Sequence, residues 1–227
     1  MEKIEHRQEN IRRFEDFENV NIFNQYYLVL YPLNQSLIYS TQKYAFGKVL
    51  DIGCGNKPYE KLFSQCISYL GCDIVQSSGK KVDIICEANN IPLEKDSINT
   101  ILCTQVIEHV ADFKGMLAEA YRILMEGGCF ILSGPMYWHI HEAPHDYYRF
   151  TKHGFKYILE DVGFGVIEII PNGGKWALFG QMVIHSFPQW IVGKNWSRKI
   201  INRFFHKLDN KHFDDTNTMN YTIIAQK

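Results

Sequence analysis

Residues 48–55, Lys48-Val49-Leu50-Asp51-Ile52-Gly53-Cys54-Gly55, constrain this chain more than any other stretch. A short apolar run without alternation reads as a strand buried on both faces. The two glycines after it let the backbone turn tightly and pass close to whatever lies above the strand end, where a Cβ would collide. In open α/β sheets, ligands bind outside the carboxyl ends of the strands, where the strand order reverses. The turn is therefore expected at a ligand site, with parallel strands and helices wound around it.

The rest of the sequence follows that grammar. Residues 67–74, 82–86, 98–104, 129–132, 166–170 and 221–225 read as further strands. Pro58 suits the first position of a helix running through Leu62 and Phe63. Asp112 is a good N-cap for a helix with Phe113, Met116, Leu117, Ala120 and Leu124 on one face, ended by Gly127-Gly128. Thr151 caps another, carrying Phe155, Ile158, Leu159 and Val162 and stopped by Gly163. Alternating strands and helices imply a mainly parallel sheet covered on both faces.

A chain of 227 residues holds one such domain. Residues 1–46 read as an N-terminal helical segment. The first 20 residues mix charges as a solvated helix or frayed arm, and residues 22–46 form an aromatic, helical stretch interrupted by Pro32. Residues 47–227 are the domain proper, with 171–219 a helical insert or lid before the last strand. Aromatics make up 14% of the chain, many outside the core segments, so something large and apolar is expected to be bound or covered.

Several classes are excluded. Lys and Arg number 24 against 25 Asp and Glu, for a net charge of −1, so no nucleic-acid partner is expected. The six cysteines form no CxxC pair and read as small core residues in a reducing compartment. The charged start, Met1 to Arg7, has no signal-peptide core, and no apolar run is long enough to span a bilayer. A cytoplasmic location is expected.

The Gly turn lacks a dehydrogenase fingerprint, because Pro58 stands where the third glycine would fall. Asp73, in Gly71-Cys72-Asp73, follows Gly55 by 18 residues, about the interval at which a strand-end acid accepts both ribose hydroxyls of an adenosine. Glu87-Ala88 and Ile91-Pro92-Leu93 then follow the third strand, where an adenine ring would lie. In this order, VLDIGCG, GCD, CEANNIPLEKDSINTILCTQVIEHV and EGGCFILSGP resemble class I S-adenosylmethionine-dependent methyltransferases over roughly 47–170. The resemblance implies a Rossmann-like, seven-stranded, mostly parallel sheet whose last strand, Asn220 to Gln226, is antiparallel. It implies S-adenosyl-L-methionine as cofactor. Asp51, Gly53, Cys54 and Gly55 would carry the methionine end, Asp73 the ribose, Glu87 and Ala88 the adenine, and Gln105 the sulfonium side. Two departures are present: Lys57 replaces a third glycine of the turn, and Asn99-Thr100 replaces the usual Phe-Asp of the fourth strand.

The segment from Tyr137 to Thr151 is expected over the methyl group. It holds three of the nine histidines and resembles the Pro-His-Asp-Tyr-Tyr-Arg-Phe-Thr stretch of bacterial methyltransferases associated with surface glycans. His145 is the expected base, because an imidazole near neutral pKa suits deprotonation of a hydroxyl. Asp146 would orient it or bind substrate. His109, Tyr137, His141, Tyr148 and Arg149 would contact the acceptor, although an Asp146–Arg149 pair bracing the entry to the helix at Thr151 stays open. Glu-x-x-Glu-His metal sites of some methyltransferases have Gln105 in the first acidic place here, so no metal is expected. The expected reaction is O-methylation of a small molecule or glycan, lipid-linked in one variant; a non-catalytic cofactor-binding protein is the alternative. Residues 173–211 carry seven Lys and Arg against Asp209 alone. Residues 176–207 thus read either as a packed lid or as a peripheral contact with the inner face of the membrane.

Overall fold

The computed structural model describes residues 20–227; the mixed-charge arm expected before them lies outside the described residues. In chain order the elements are α1 (Tyr27–Tyr44), β1 (Lys48–Ile52), β2 (Ser68–Asp73), β3 (Ile84–Ile85), β4 (Ile98–Thr104), α2 (Phe113–Ile123), β5 (Leu124–Pro135), α3 (Lys152–Val162), β6 (Gly165–Asn172), α4 (Lys175–Ser186), α5 (Gln189–Val192), α6 (Asn195–Lys211) and β7 (Asn220–Gln226). The strands form one sheet in the order β3-β2-β1-β4-β5-β7-β6. β7 runs antiparallel to both of its neighbours, β5 and β6, while the pairings from β3 through β5 are parallel. This is the Rossmann-like methyltransferase architecture. The order reverses between β1 and β4, above which the Gly turn sits.

The two faces of the sheet are covered differently. Leu50, Ile52, Ile101, Phe130, Leu132 and Ile223 point to α2 and α3, burying Met116, Leu117, Phe155 and Leu159. The caps on these two helices are those read from the sequence: Asp112 accepts from the Gly115 N–H at 3.0 Å, and Thr151 from the Gly154 N–H at 3.0 Å. Val49, Leu102, Ile131 and Ile224 point the other way, to Leu33 and Leu37 of α1 together with Tyr59 and Phe63.

Three local expectations are corrected. Past Pro58 there is one 3₁₀ turn, Glu60–Phe63, instead of a helix. Tyr59 and Phe63 plug into the face that α1 already fills, which leaves room for a single turn. α2 ends at Ile123, and Leu124 opens β5, pairing with Ile98 before the Gly127-Gly128 excursion. Pro32 does not interrupt α1, which runs through it. The proline removes one helical hydrogen bond at a cost of roughly 3 kcal/mol. Burial of Leu28, Leu30, Leu33 and Leu37, each contributing roughly 1.5–3 kcal/mol, outweighs it.

Between β6 and β7, α4 and α6 pack on the start of α1, burying Tyr27, Leu28, Ala177, Leu178, Ile184 and Phe205. The polar residues that punctuate these helices clamp the chain just before α1. Gln181 Nε2 donates to the Gln25 carbonyl at 2.9 Å, and Asn202 Nδ2 to those of Ile22 and Asn24 at 2.8 and 2.9 Å. No helix among the described residues is long and apolar enough to cross a membrane. All six cysteines are free thiols, and four of them are buried.

Candidate active site

Gly53 takes a positive φ of 75°, and a Cβ there would come within 2.4 Å of Val106. The Gly turn is thereby pressed against the segment that leaves β4. Its first two amides, Gly53 and Cys54, are both tied to the Cys72 carbonyl, at 2.8 and 3.1 Å. Gly55 N–H donates to Asp73 Oδ2 at 3.1 Å, linking turn and strand-end acid. Lys57 occupies the left-handed region, with φ 57°, as a glycine would. Its side chain runs back along β2 to Asp83 at 2.5 Å, close to Gly71, and away from the mouth of the turn. Burial would raise the Asp83 carboxyl, but the Lys57 ammonium and the Gly71 N–H hold it below its usual range.

Asp51 is buried at the end of β1, where Tyr69 Oη donates to its Oδ2 at 2.6 Å. Loss of hydration pushes its carboxyl up to about 7, against the opposing effect of the tyrosine hydrogen bond. Glu87 is exposed and Ala88 is half-buried, on the loop that follows β3. That loop is pinned by α2: Ile91 N–H donates to Glu119, and Arg122 donates to the carbonyls of Ile91 and Leu93. The acids, glycines and loop expected around the cofactor therefore share one edge of the sheet. A buried carboxyl, a second strand-end acid and a turn tolerating no extra Cβ fit a ligand with an ammonium end and a ribose.

The acceptor side is built on the same edge. Gln105 has φ 56° and donates from Nε2 to Ser133 Oγ at 3.2 Å. After it, Glu108 and His109 form a one-turn helix. The segment from 137 to 150 is latched to that turn, because the Tyr147 and Tyr148 amides donate to the Glu108 carbonyl at 2.9 and 3.3 Å. His109 Nδ1–H donates to the His145 carbonyl at 2.8 Å, which turns Nε2 toward Glu108 and Glu142, both at 3.9 Å. The His141 ring stands edge-on to His109 with centroids 4.7 Å apart.

A small cleft opens between this loop and α1, lined by Tyr26, Leu30, Gln105, His109, Trp138, His141, Glu142 and Asn220. Six of the expected positions separate here. Gln105, His109 and His141 border the cleft. His145 does not: its Nδ1 pairs with Tyr147 Oη at 2.9 Å, and its Nε2 is buried. Tyr137 is exposed, and Tyr148 Oη donates to the Ala111 carbonyl at 3.0 Å.

Asp146 and Arg149 act within the loop rather than at its surface. Arg149 donates to both Asp146 oxygens, at 2.6 and 2.8 Å, and to the carbonyls of Trp138 and His139. The His141 amide donates to Asp146 Oδ2 at 2.9 Å, and His141 Nδ1 lies 3.4 Å from the same oxygen. Burial would raise the Asp146 carboxyl, but these partners hold it at about 2. It is a permanent anion behind the His141 ring.

Sequence reasoning missed Tyr26, Trp138 and Asn220, which come from three distant segments. The aromatic excess of the preface was the one available signal. Glu108, His109 and His141 offer ligand atoms within 4.8 Å of one another, the one such group among the described residues. Burial pushes the Glu108 carboxyl up to about 8, and neither oxygen has a hydrogen-bond partner among the described residues. A larger hollow, about 410 Å³, lies elsewhere, between α1, β6 and α6 and lined by Tyr31, Tyr39, Glu168 and His206.

Comparison with known proteins agrees with this geometry. Residues 50–132 match the model of a methyltransferase domain. No curated protein matches the sequence. Among solved structures, a SAM-dependent methyltransferase from Archaeoglobus fulgidus superposes with a TM-score of 0.58 at 19% identity, covering 87% of this chain and 93% of its own. The [4+2]-cyclase SpnF gives 0.57 at 14% identity, covering 87% and 81%. Phosphoethanolamine N-methyltransferase 2 of Haemonchus contortus, a complex with S-adenosyl-L-methionine, gives 0.53 at 16% identity, covering 94% of this chain and 60% of its own. These likenesses show the fold. The matched domain, set in that fold and carrying the acids and Gly turn described above, makes the chain an enzyme of the methyltransferase kind.

Proposed function

We propose that the protein methylates a hydroxyl of a small molecule or glycan in the cleft between loop 137–150 and α1, with His141 as the base. The observation that carries this reading is the His141 ring at the cleft wall with the Asp146 carboxylate 3.4 Å behind its Nδ1. This replaces His145, whose ring is turned to Tyr147 and does not border the cleft.

Bound S-adenosylmethionine supplies an activated methyl group on a positively charged sulfur. Asp51 would meet its ammonium end, Gly53, Cys54 and Gly55 would give the backbone room to approach it, and Asp73 would accept from the ribose. Glu87 and Ala88 would border the adenine, and Gln105 the sulfonium side. On the other side His141 would take the acceptor's hydroxyl proton as the oxygen bonds to the methyl carbon, with the carbon–sulfur bond breaking and S-adenosylhomocysteine leaving. The His139 carbonyl, 3.2 Å from Nδ1, holds that imidazole in one orientation, and the Asp146 carboxylate at 3.4 Å favours the imidazolium that forms. Arg149 is a positioning residue, since it fixes Asp146 and the two carbonyls of the loop. His109 and Glu142 line the acceptor's path. Alignment of the two reactants supplies on the order of 7–11 kcal/mol, and the base adds to it.

The test pairs two variants in an assay for S-adenosylhomocysteine release over a panel of sugar and phenol acceptors. His141→Ala is expected to lose turnover and keep cofactor affinity, while His145→Ala retains most turnover. The opposite order would return the base to His145. Amines accepted in place of hydroxyls would overturn the acceptor class.

A further inference from the structure

Residues 176–207 contain Lys194, Arg198, Lys199, Arg203 and Lys207 and no Asp or Glu. The acid that follows them, Asp209, is buried, accepting from the amides of Gly174, Trp176 and Ala177 at the start of α4. Among the described residues none of the five cations forms an ion pair. A net charge of +5 is thus concentrated on one helical hairpin of a chain whose total is −1.

The same hairpin leaves large apolar side chains outside. On α6, Trp196, Ile200 and Phe204 are 63%, 60% and 59% exposed and recur every four residues, which makes one stripe. Lys199, Arg203 and Lys207 recur with the same spacing beside it. On α4, Phe179 and Met182 are exposed, and on α5 Trp190 is 75% exposed. Buried Phe205 holds the two helices' outer faces together, with its ring 5.6 Å from Phe179 and 5.1 Å from Phe204. Gly180 permits this approach, since a Cβ there would lie 2.5 Å from Phe205. The inner faces are spent on α1; apart from Lys199, whose ammonium lies 5.6 Å from the centre of the Phe23 ring, this outer face has no aromatic or ionic partner from another segment among the described residues.

We infer that the outer face of α4–α6 docks on an anionic phospholipid surface. Tryptophans and aliphatic residues flanked by Lys and Arg on an amphipathic element match the acyl boundary and the headgroups together. A second copy of the chain would bring five cations against five, which argues against a dimer through this face. The face adjoins the active site: His185, near the end of α4, packs on Trp138 and His139 at 5.1 and 5.0 Å. Docking would set the acceptor loop beside the lipid surface. The inference goes beyond the proposed function and does not depend on methyl transfer.

The test is co-sedimentation of the full chain with phosphatidylcholine vesicles, with and without about 30 mol% phosphatidylglycerol, at low and high salt. Binding is expected to the anionic vesicles, to fall with salt, and to be at least ~10-fold weaker without phosphatidylglycerol. Lys199→Glu with Arg203→Glu, and separately Trp190→Ala with Trp196→Ala, are each expected to weaken it by at least ~10-fold, while cofactor affinity and melting temperature stay unchanged. No binding to anionic vesicles, or binding indifferent to both double variants, overturns the proposal. So does concentration-dependent self-association lost in the tryptophan variant, which would make the face a dimer interface. Capture by a polyanion that the tryptophan variant leaves intact would overturn it in favour of nucleic acid.

Discussion

The two sides of the proposed active site are built by different means. The cofactor side hangs on strand ends and tight loops: Asp51, the Gly turn, Asp73 and the loop after β3 lie within one continuous stretch of chain, joined by backbone hydrogen bonds and by α2. The acceptor side is assembled from pieces far apart in sequence. Tyr26 precedes α1, Gln105 and His109 follow β4, Trp138 and His141 come from the loop after β5, and Asn220 opens β7. One side is fixed by backbone geometry and two acids; the other is fixed by side chains holding a loop in place. Substitutions on the first should therefore change affinity for the cofactor, and those on the second should change turnover.

The largest effect is expected on the acceptor side. His141→Ala should reduce turnover about 10²–10⁴-fold, the range for loss of a general base. Its cofactor dissociation constant, measured by calorimetry, should stay the same. Asp146→Asn should lose part of that factor, because the imidazolium that forms loses its anion. If His141→Ala weakens the cofactor as much as it slows turnover, the two sides are not separable and the comparison fails.

Next comes the cofactor side. Asp73→Ala removes hydrogen bonds to a charged acceptor and should weaken S-adenosylmethionine by roughly 1.5–3 kcal/mol, at least tenfold in affinity. It also frees the Gly55 amide that Asp73 holds at 3.1 Å, so part of the loss is in the shape of the turn. Asp73→Asn keeps an acceptor for Gly55 and isolates the effect of charge. Unchanged affinity in both variants would take Asp73 out of the site.

How much of this was legible follows the same division. β1, the Gly turn, β2 and the caps at Asp112 and Thr151 are set by short-range rules, and the sequence reading places them correctly. The missing helix after Pro58 was not legible, because α1, from another part of the chain, fills its place. Nor were the different settings of His141, at the cleft, and His145, turned to Tyr147. Both sit in one polar loop, and the contacts that separate them, Asp146 to Arg149 and His109 to the His145 carbonyl, depend on how that loop folds over the turn after β4.

A smaller effect should come from Asp51. Burial raises its carboxyl from an ordinary value of 3.8 to about 7, so the proton is held more tightly in the folded chain than in the unfolded one. The stability linked to that proton is fully present below the unfolded value and is lost as pH rises through about 7. Binding an ammonium group runs the other way, because it needs the carboxylate. Cofactor affinity should rise roughly tenfold between about pH 6 and about pH 8, with proton release detectable by calorimetry in buffers of different ionisation heat. Asp51→Asn should flatten the dependence. Affinity that falls over this range would remove Asp51 from the ammonium end.

The smallest effect is expected from removing metal ions, and it tests the acceptor side at its most ambiguous point. Glu108, His109 and His141 lie within ligand distance of one another, and the Nδ1 bond from His109 to a carbonyl presents its Nε2 as a ligand would be presented. Against a cation stands the donor set. Gln105 is neutral and turned to Ser133, which leaves one acid and two imidazoles, a poor match for magnesium. Glu108, pushed up to about 8, satisfies its burial by keeping a proton at neutral pH. Turnover is therefore expected to be unchanged after EDTA, and unchanged by added magnesium. Gln105→Glu would add a second acid to the group, and magnesium sensitivity in that variant alone would show that the missing acid decides the matter. Loss of wild-type activity on chelation, restored by a divalent ion, would instead make Glu108, His109 and His141 a ligand set. His141 would then serve the metal, and the base would have to be sought elsewhere in the cleft.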